Sequence, residues 1–198
     1  MAARKSAGLT EVFQIKVTLK GMKPPIWRRL LVRSDMTMGG LHEVLQVAIG
    51  WFDCHLHEFR IGERAIGPRD IADCPGEPPP DDERRVKVRE ALKRAGVKAQ
   101  YTYDFGDSWE HELLVEKVLP LDPEIEYPVC TGGKRAGPPE DCGGAWGYGD
   151  LVDSLKLGEA DEETLELLGE GFDPEAFSVE VVNEALRPQR KRRSGATG

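Results

Sequence analysis

A chain of 198 residues, 39% hydrophobic and 31% charged, has the size and composition of one globular domain with an ordinary core. No stretch approaches the roughly 18 apolar residues of a membrane span, and the N-terminal MAARKSAGLT lacks the apolar segment of a secretory signal, so no membrane association and a cytoplasmic location are expected. The net charge of −8 is uneven: Arg187 to Arg193 carries five positive charges, whereas Leu157 to Leu186 holds ten acidic residues and no Lys or Arg, a body that repels nucleic acid and leaves only the tail able to touch it.

Residues 12–20, VFQIKVTLK, alternate apolar and polar side chains and predict a half-buried strand. GMKPP supplies turn residues and IWRRLLVR a second strand, so the opening reads as a hairpin. Leu41, Val44, Leu45, Ala48 and Ile49 recur at helical spacing between a polar SDMT lead-in and Gly50. In WFDCHLHEFRIGE, alternation predicts a strand from about His55. PGEPPPDD, residues 75–82, reads as a flexible loop, and ERRVKVREALKRAG as a helix closed by Gly96.

YTYDFGDSWEH then presents D-F-G, the magnesium-binding triplet of protein kinases. No glycine-rich loop, strand lysine or H-R-D loop accompanies it, which excludes kinase chemistry. The β-prone runs Ala99–Phe105 and Trp109–Leu119 flank Gly106, Asp107 and Ser108, so the triplet is expected at a hairpin turn, with Gly106 supplying a positive φ. Trp109, His111, Leu113 and Val115 share one face of the second run.

The Gly- and Pro-rich YPVCTGGKRAGPPEDCGGAWGYGD has no periodicity and reads as a long loop. It has too few apolar side chains to offset its ordering entropy and must be held from outside. The expected anchors are Tyr127, Cys130, Cys142 and Trp146 packed on the sheet, Trp146 and Tyr148 at the loop's end, and Glu140 and Asp141 capping the Gly143 and Gly144 amides. Short helices are expected around Tyr148–Leu155 and Leu165–Leu168. Asp173-Pro174 reads as a helix start, and Ser178 as the cap of a last helix through Val182 and Leu186.

On a strand, the H-x-H of His55 and His57 would send both imidazoles from one face about 7 Å apart, within reach of one metal ion, and His111 offers a third nitrogen. Hydrogen-bonded structural histidines are the plainer reading. Cys130 and Cys142 bracket the loop and suit either buried thiols or a zinc or disulfide clip. No cofactor is required; zinc is the one these residues could take. Asp104, Asp107, Glu110 and Glu112 gather at the hairpin tip, where acidic residues commonly form turns. Trp27, Trp51, Trp109 and Trp146 read first as core, with Trp146 the one placed to stack on a ligand. The expected functional surface is His55, His57, Tyr103, Asp104, Asp107, Trp109, His111 and Trp146.

WRRLLV, LHEVLQVAIGW followed by HLHEF, YTYDFGDSWEHELLVEKV, YPVCTGGKRAGPPEDCGGAWGY and FDPEAFSVEVVNEAL together resemble the plasmid pRiA4b ORF-3-like family, from about Glu11 to Leu186. The resemblance implies an α+β fold: a curved, largely antiparallel sheet with flanking helices and a helical C-terminal segment. It implies one domain over 11–186; from composition, 1–10 is expected to be flexible and 187–198 a basic, disordered tail. Members occur on plasmids and transposable elements, some labelled passenger or resolvase-like, and no catalytic residue carries over. A resolvase would need a basic groove-reading helix pair, which the acidic C-terminal third lacks.

Three functions are compatible with these residues. The first is a non-enzymatic module binding a protein partner through the Gly-Pro loop and acidic C-terminal helices. The others are a metal-assisted hydrolase on the His55/His57/His111 face, and nucleic-acid association through the basic tail. The first is favoured because no nucleophile, base and orienting group assemble from the sequence.

Overall fold

The computed structural model describes residues 11–69, 78–169 and 171–187. Strand β1 (Glu11–Leu19) and β2 (Trp27–Arg33) form the expected hairpin, followed by helix α1 (Met38–Ile49), β3 (His57–Ile61), β4 (Arg64–Gly67) and the short β5 (Asp81–Asp82). Then come α2 (Val88–Ala91), β6 (Lys98–Tyr103), β7 (Trp109–Pro120), β8 (Val129–Lys134), α3 (Gly144–Leu157), α4 (Glu162–Leu168) and α5 (Val179–Ala185). The strands form one sheet in the order β5-β4-β3-β6-β7-β1-β2-β8, antiparallel except between β4 and β5. This is an α+β fold. Among the described residues no helix is long and apolar enough to cross a membrane.

Alternation decides which face is covered. Phe13, Ile15, Val17 and Leu19 of β1, Phe59 of β3, Tyr101 and Tyr103 of β6, and Trp109, His111, Leu113 and Val115 of β7 are all buried. Helix α1 packs on this face through Leu41, Val44, Leu45, Ala48 and Ile49; Thr37 caps its start by accepting from the Gly40 N–H, and Gly50 closes it in the left-handed region. Arg28 of β2, buried, ties the helix to the sheet edge: its Nε donates to the Ala48 carbonyl at 2.7 Å and its Nη1 to the Lys134 carbonyl at 3.1 Å. Burial lowers its pKa to about 10.

Several expectations need correction. The D-F-G hairpin is present, but the turn spans 104–108, and Asp104 and Ser108 rather than Gly106 hold positive φ; Asp104 Oδ1 accepts from the Gly106 N–H at 2.9 Å. ERRVKVREALKRAG forms only the one turn α2. Asp173-Pro174 is a turn in which Asp173 accepts from the Glu175 N–H, and the last helix starts after Ser178, as expected. The Gly-Pro segment contributes an edge strand, β8, that pairs with β2, with a bulge between Arg29 and Leu30. Residues 75–77, Cys74 and the tail beyond Arg187 lie outside the described residues.

The rest of the Gly-Pro segment is held by close approach. A Cβ on Gly137 would lie 2.1 Å from the Ile49 carbonyl oxygen, so only glycine lets the loop meet the end of α1. Arg135 is buried, donating to Glu175 at 2.8 Å and to the Pro24 carbonyl at 2.7 Å. Tyr127, Cys130, Cys142 and Tyr148 are buried as expected, but Trp146, in the first turn of α3, is 89% exposed and anchors nothing.

On the open face, a bulge between Gln14 and Ile15 leaves Glu116 of β7 unpaired. Its carboxylate accepts two hydrogen bonds from Arg29, at 2.6 and 2.9 Å, and one from Gln14. The Arg29 hydrogen bond is the main reason its pKa falls from the usual 4.5 to about 2. A depressed carboxylate stabilises the fold fully above its unfolded pKa and loses that contribution as pH falls through the folded value. Glu116→Gln is therefore expected to cost about 1 kcal/mol at pH 6 by urea denaturation. The gap should narrow as pH is lowered from 4.5 toward 2, and a gap independent of pH would contradict the assignment.

Candidate functional site

Over β3, β6 and β7 the covered face is not aliphatic. The chain has four histidines, and all of them join one ring cluster there. His42, on the buried side of α1, lies flat on His57, the first residue of β3, with ring centroids 3.4 Å apart and 5° between planes. Tyr101, cross-strand from Phe59 and His111, approaches both rings.

The hydrogen bonds define His42. Its Nδ1 is 2.8 Å from the Tyr101 hydroxyl and its Nε2 is 2.8 Å from Asp53 Oδ1. Burial, and then the neighbouring His57, pulls its pKa down to about 4, so it is neutral. A carboxylate only accepts; hence Nε2 carries the proton, and Tyr101 donates to Nδ1 while accepting from Gln46 Nε2 at 2.9 Å. Gln46 Oε1 in turn accepts the Asp53 N–H at 3.0 Å, closing a ring of contacts between helix, sheet and the loop after α1. His57 Nε2 meets Glu83 Oε2 at 2.7 Å. Glu83 reaches this point because α1 carries Gly39 opposite it, where a Cβ would stand 3.3 Å from the carboxyl group.

These groups open onto a cleft of about 420 Å³ whose walls include His42 and Glu43 of α1, Asp53, His55 and His57 of the following loop and strand, and Glu83 and Arg84. Donor atoms of His42, Asp53 and His57 all lie within 4.8 Å of one another. Two imidazoles and a carboxylate suit zinc and similar borderline ions. Tetrahedral bonds of 2.0–2.1 Å place ligand atoms about 3.4 Å apart, so binding one ion would draw these side chains together and tilt the two parallel rings toward it.

His55 lines the same cleft, but its Nε2 meets a different pair of carboxylates. Strand β3 begins at His57, so the H-x-H pair does not share a strand face. His55 Nε2 lies 3.1 Å from Asp141 Oδ1 and 3.8 Å from Asp104 Oδ2. Beside it, the Tyr103 hydroxyl accepts from the Cys54 and His55 N–H groups and donates to Glu140. Burial, followed by donation to Glu140, raises the Tyr103 pKa well above its usual value. Glu140 also accepts the Phe52 N–H, and Trp51 Nε1 donates to the Pro138 carbonyl, so the two loops are fastened together. Asp53, Asp104 and Asp141 all sit at positive φ, between 55° and 61°. Such conformations cost energy for residues other than glycine and gather at working sites.

The remaining expected residues divide. Trp109 and His111 are buried in the same cluster, but His111 faces the Trp109 carbonyl through Nδ1, and burial holds its pKa near 4. It joins no shared ligand group with His55 and His57. Asp107, not Glu140 or Asp141, accepts the Gly143 N–H. Cys130 and Cys142 are free, buried thiols, and among the described residues neither belongs to a ligand group; burial, aided by Asp107, pushes Cys142 up to about 12. Sequence reasoning missed His42, Gln46, Asp53 and Glu83. The available signal was His42 and Gln46, four residues apart on α1 beside apolar Leu41 and Leu45, a spacing that buries two polar side chains together.

Three comparisons bear on this arrangement. The model of the family described as plasmid pRiA4b ORF-3-like protein matches residues 11–181. "Uncharacterized protein y4hQ" of Sinorhizobium fredii (strain NBRC 101917 / NGR234) is 37% identical over 182 residues, 90% of this chain and 92% of that protein. The crystal structure of the protein of unknown function MM3350 from Methanosarcina mazei Go1 is similar with a TM-score of 0.78 and 38% identity, covering 88% of this chain and 97% of that one.

The buried ring of contacts makes a stability prediction. Tyr101→Phe leaves His42 Nδ1 and Gln46 Nε2 without their shared hydroxyl, and unpaired buried polar groups cost about 1–3 kcal/mol. Urea denaturation should show a loss in that range; a change below about 0.5 kcal/mol, typical of surface substitutions, would contradict the network.

Proposed function

The chain belongs to the plasmid pRiA4b ORF-3-like family, and from its cleft we propose that it is a metal-binding module that holds a divalent ion of zinc type on His42, His57 and Asp53. The observation that carries this reading is the stacked, buried imidazole pair beside a carboxylate on a cleft wall. Face-to-face imidazolium rings would repel, and two neutral rings gain little from lying parallel 3.4 Å apart. Bringing two buried basic nitrogens beside an acidic oxygen at the cleft surface has an evident use if a cation joins them. Tyr101 supports the set from behind, as partners of ligand histidines commonly do, by fixing the orientation of the His42 ring.

Three protein ligands leave one position of a tetrahedral ion for a ligand arriving through the cleft. Among the described residues the cleft lining contains no Ser or Cys, and the Thr37 hydroxyl is engaged as the α1 cap, so a bound ion would be the reactive group these residues offer. This proposal uses a different trio from the His55/His57/His111 set that the sequence offered as a candidate for zinc. The protein-interaction reading retains one supporting observation: Phe52 is 83% exposed and Trp146, at the start of α3, 89% exposed, and the Phe52 N–H is bonded to Glu140 in the segment that leads into α3. Nucleic-acid association through the tail falls on residues outside those described.

Isothermal titration of chelator-treated protein with zinc is expected to give one ion per chain. His42→Ala and His57→Ala should each weaken binding by at least about tenfold. Glu116→Gln, remote on the open face, should bind as wild type. No stoichiometric zinc binding, or binding unchanged in both histidine variants, would overturn the proposal.

A further inference from the structure

We infer a second cation position, formed by His55, Asp104 and Asp141 and suited to a harder divalent ion such as manganese or magnesium. It shares no residue with the His42/His57/Asp53 set and does not rest on that assignment. Its three members come from separate segments: the loop after α1, the β6–β7 turn and the Gly-Pro loop. Their donor atoms nevertheless lie within 4.8 Å of one another.

Two observations set this group apart from an ordinary acidic surface. His55 Nε2 is closed to solvent and makes no hydrogen bond, although carboxylate oxygens stand 3.1 and 3.8 Å away. An imidazole nitrogen so placed has lost water without a well-aligned replacement, and such groups require an explanation. In addition, among the described residues neither Asp104 nor Asp141 has a Lys or Arg ion pair, so His55 is the one basic group in contact with the negative charge gathered here.

The surroundings hold the group in place without using its ligand atoms. Asp104 spends Oδ1 on the Gly106 N–H, which leaves Oδ2 toward His55. Tyr103 accepts the His55 N–H and donates to Glu140, the residue before Asp141, so one side chain fastens two of the three ligand-bearing segments. One nitrogen and two carboxylates form a harder donor set than two nitrogens and one carboxylate, which shifts its relative preference toward manganese and magnesium compared with that set. Asp53, His55 and His57 thus serve two positions in alternation along one short segment, the middle residue meeting different partners from the outer two.

Manganese titration of the chelator-treated full chain, read by loss of the free-ion EPR signal, tests this. Wild type is expected to bind one ion at this position. Asp141→Asn, at an exposed residue whose positive φ asparagine tolerates, and His55→Gln should each weaken it by at least about tenfold. Glu116→Gln, remote on the open face, should bind manganese as wild type does. The inference is overturned if wild type takes up no stoichiometric manganese, or if neither Asp141→Asn nor His55→Gln weakens binding.

Discussion

The site depends on how α1 is buried. A helix that places His42 and Gln46 on its packed side loses their hydration, and the loss is tolerable only if each polar atom finds a partner. Tyr101 meets both from the sheet with one hydroxyl. That meeting fixes the His42 ring, directs its Nε2 to Asp53, and places Gln46 Oε1 where it accepts the Asp53 N–H. The loop leaving the helix is set by the same few bonds, and with it the residues through His57. The aromatic lining of this end of the sheet follows: His, Tyr and Trp bury large apolar area while keeping a polar atom available.

A second requirement acts on the Gly-Pro loop, which has little core of its own. It is held by the backbone approach that Gly137 permits, by buried Arg135, and by the Trp51 bond to Pro138. Tyr103 then completes the attachment through Glu140. These contacts can stabilise Asp141 at a φ that an aspartate would not favour alone, as the hairpin turn does for Asp104. Loops fastened at several points present carboxylates with little further ordering cost, which a cation site requires.

Much of the architecture was legible because it follows periodicity. The alternation of VFQIKVTLK and of the run from Trp109, and the helical spacing from Leu41 to Ile49, report directly which atoms are buried. The β8 strand was not legible: VCTGGK has two glycines and a bulge, so its membership of the sheet comes from pairing with β2 and leaves no alternation. Asp173-Pro174 misled because the same side-chain acceptor that starts a helix also closes a turn. The site was half legible. His55, Asp104 and His57 stood out as residues, but the grouping depended on where β3 begins, a boundary set by its pairing with Tyr103 and invisible in an alternating run. His42 was hidden by its own surroundings, since a periodic apolar helix draws attention to the residues that fit the pattern.

The central claim is that the stacked histidines and Asp53 are a cation site rather than a structural hydrogen-bond cluster. The most direct measurement is an anomalous difference map from crystals of zinc-loaded protein, collected at the zinc absorption edge. The account predicts a peak at bonding distance, about 2.0–2.2 Å, from a nitrogen of His42, a nitrogen of His57 and a carboxylate oxygen of Asp53. A map with no peak there, with His42 still bonded to Asp53 and His57 still bonded to Glu83, would contradict it.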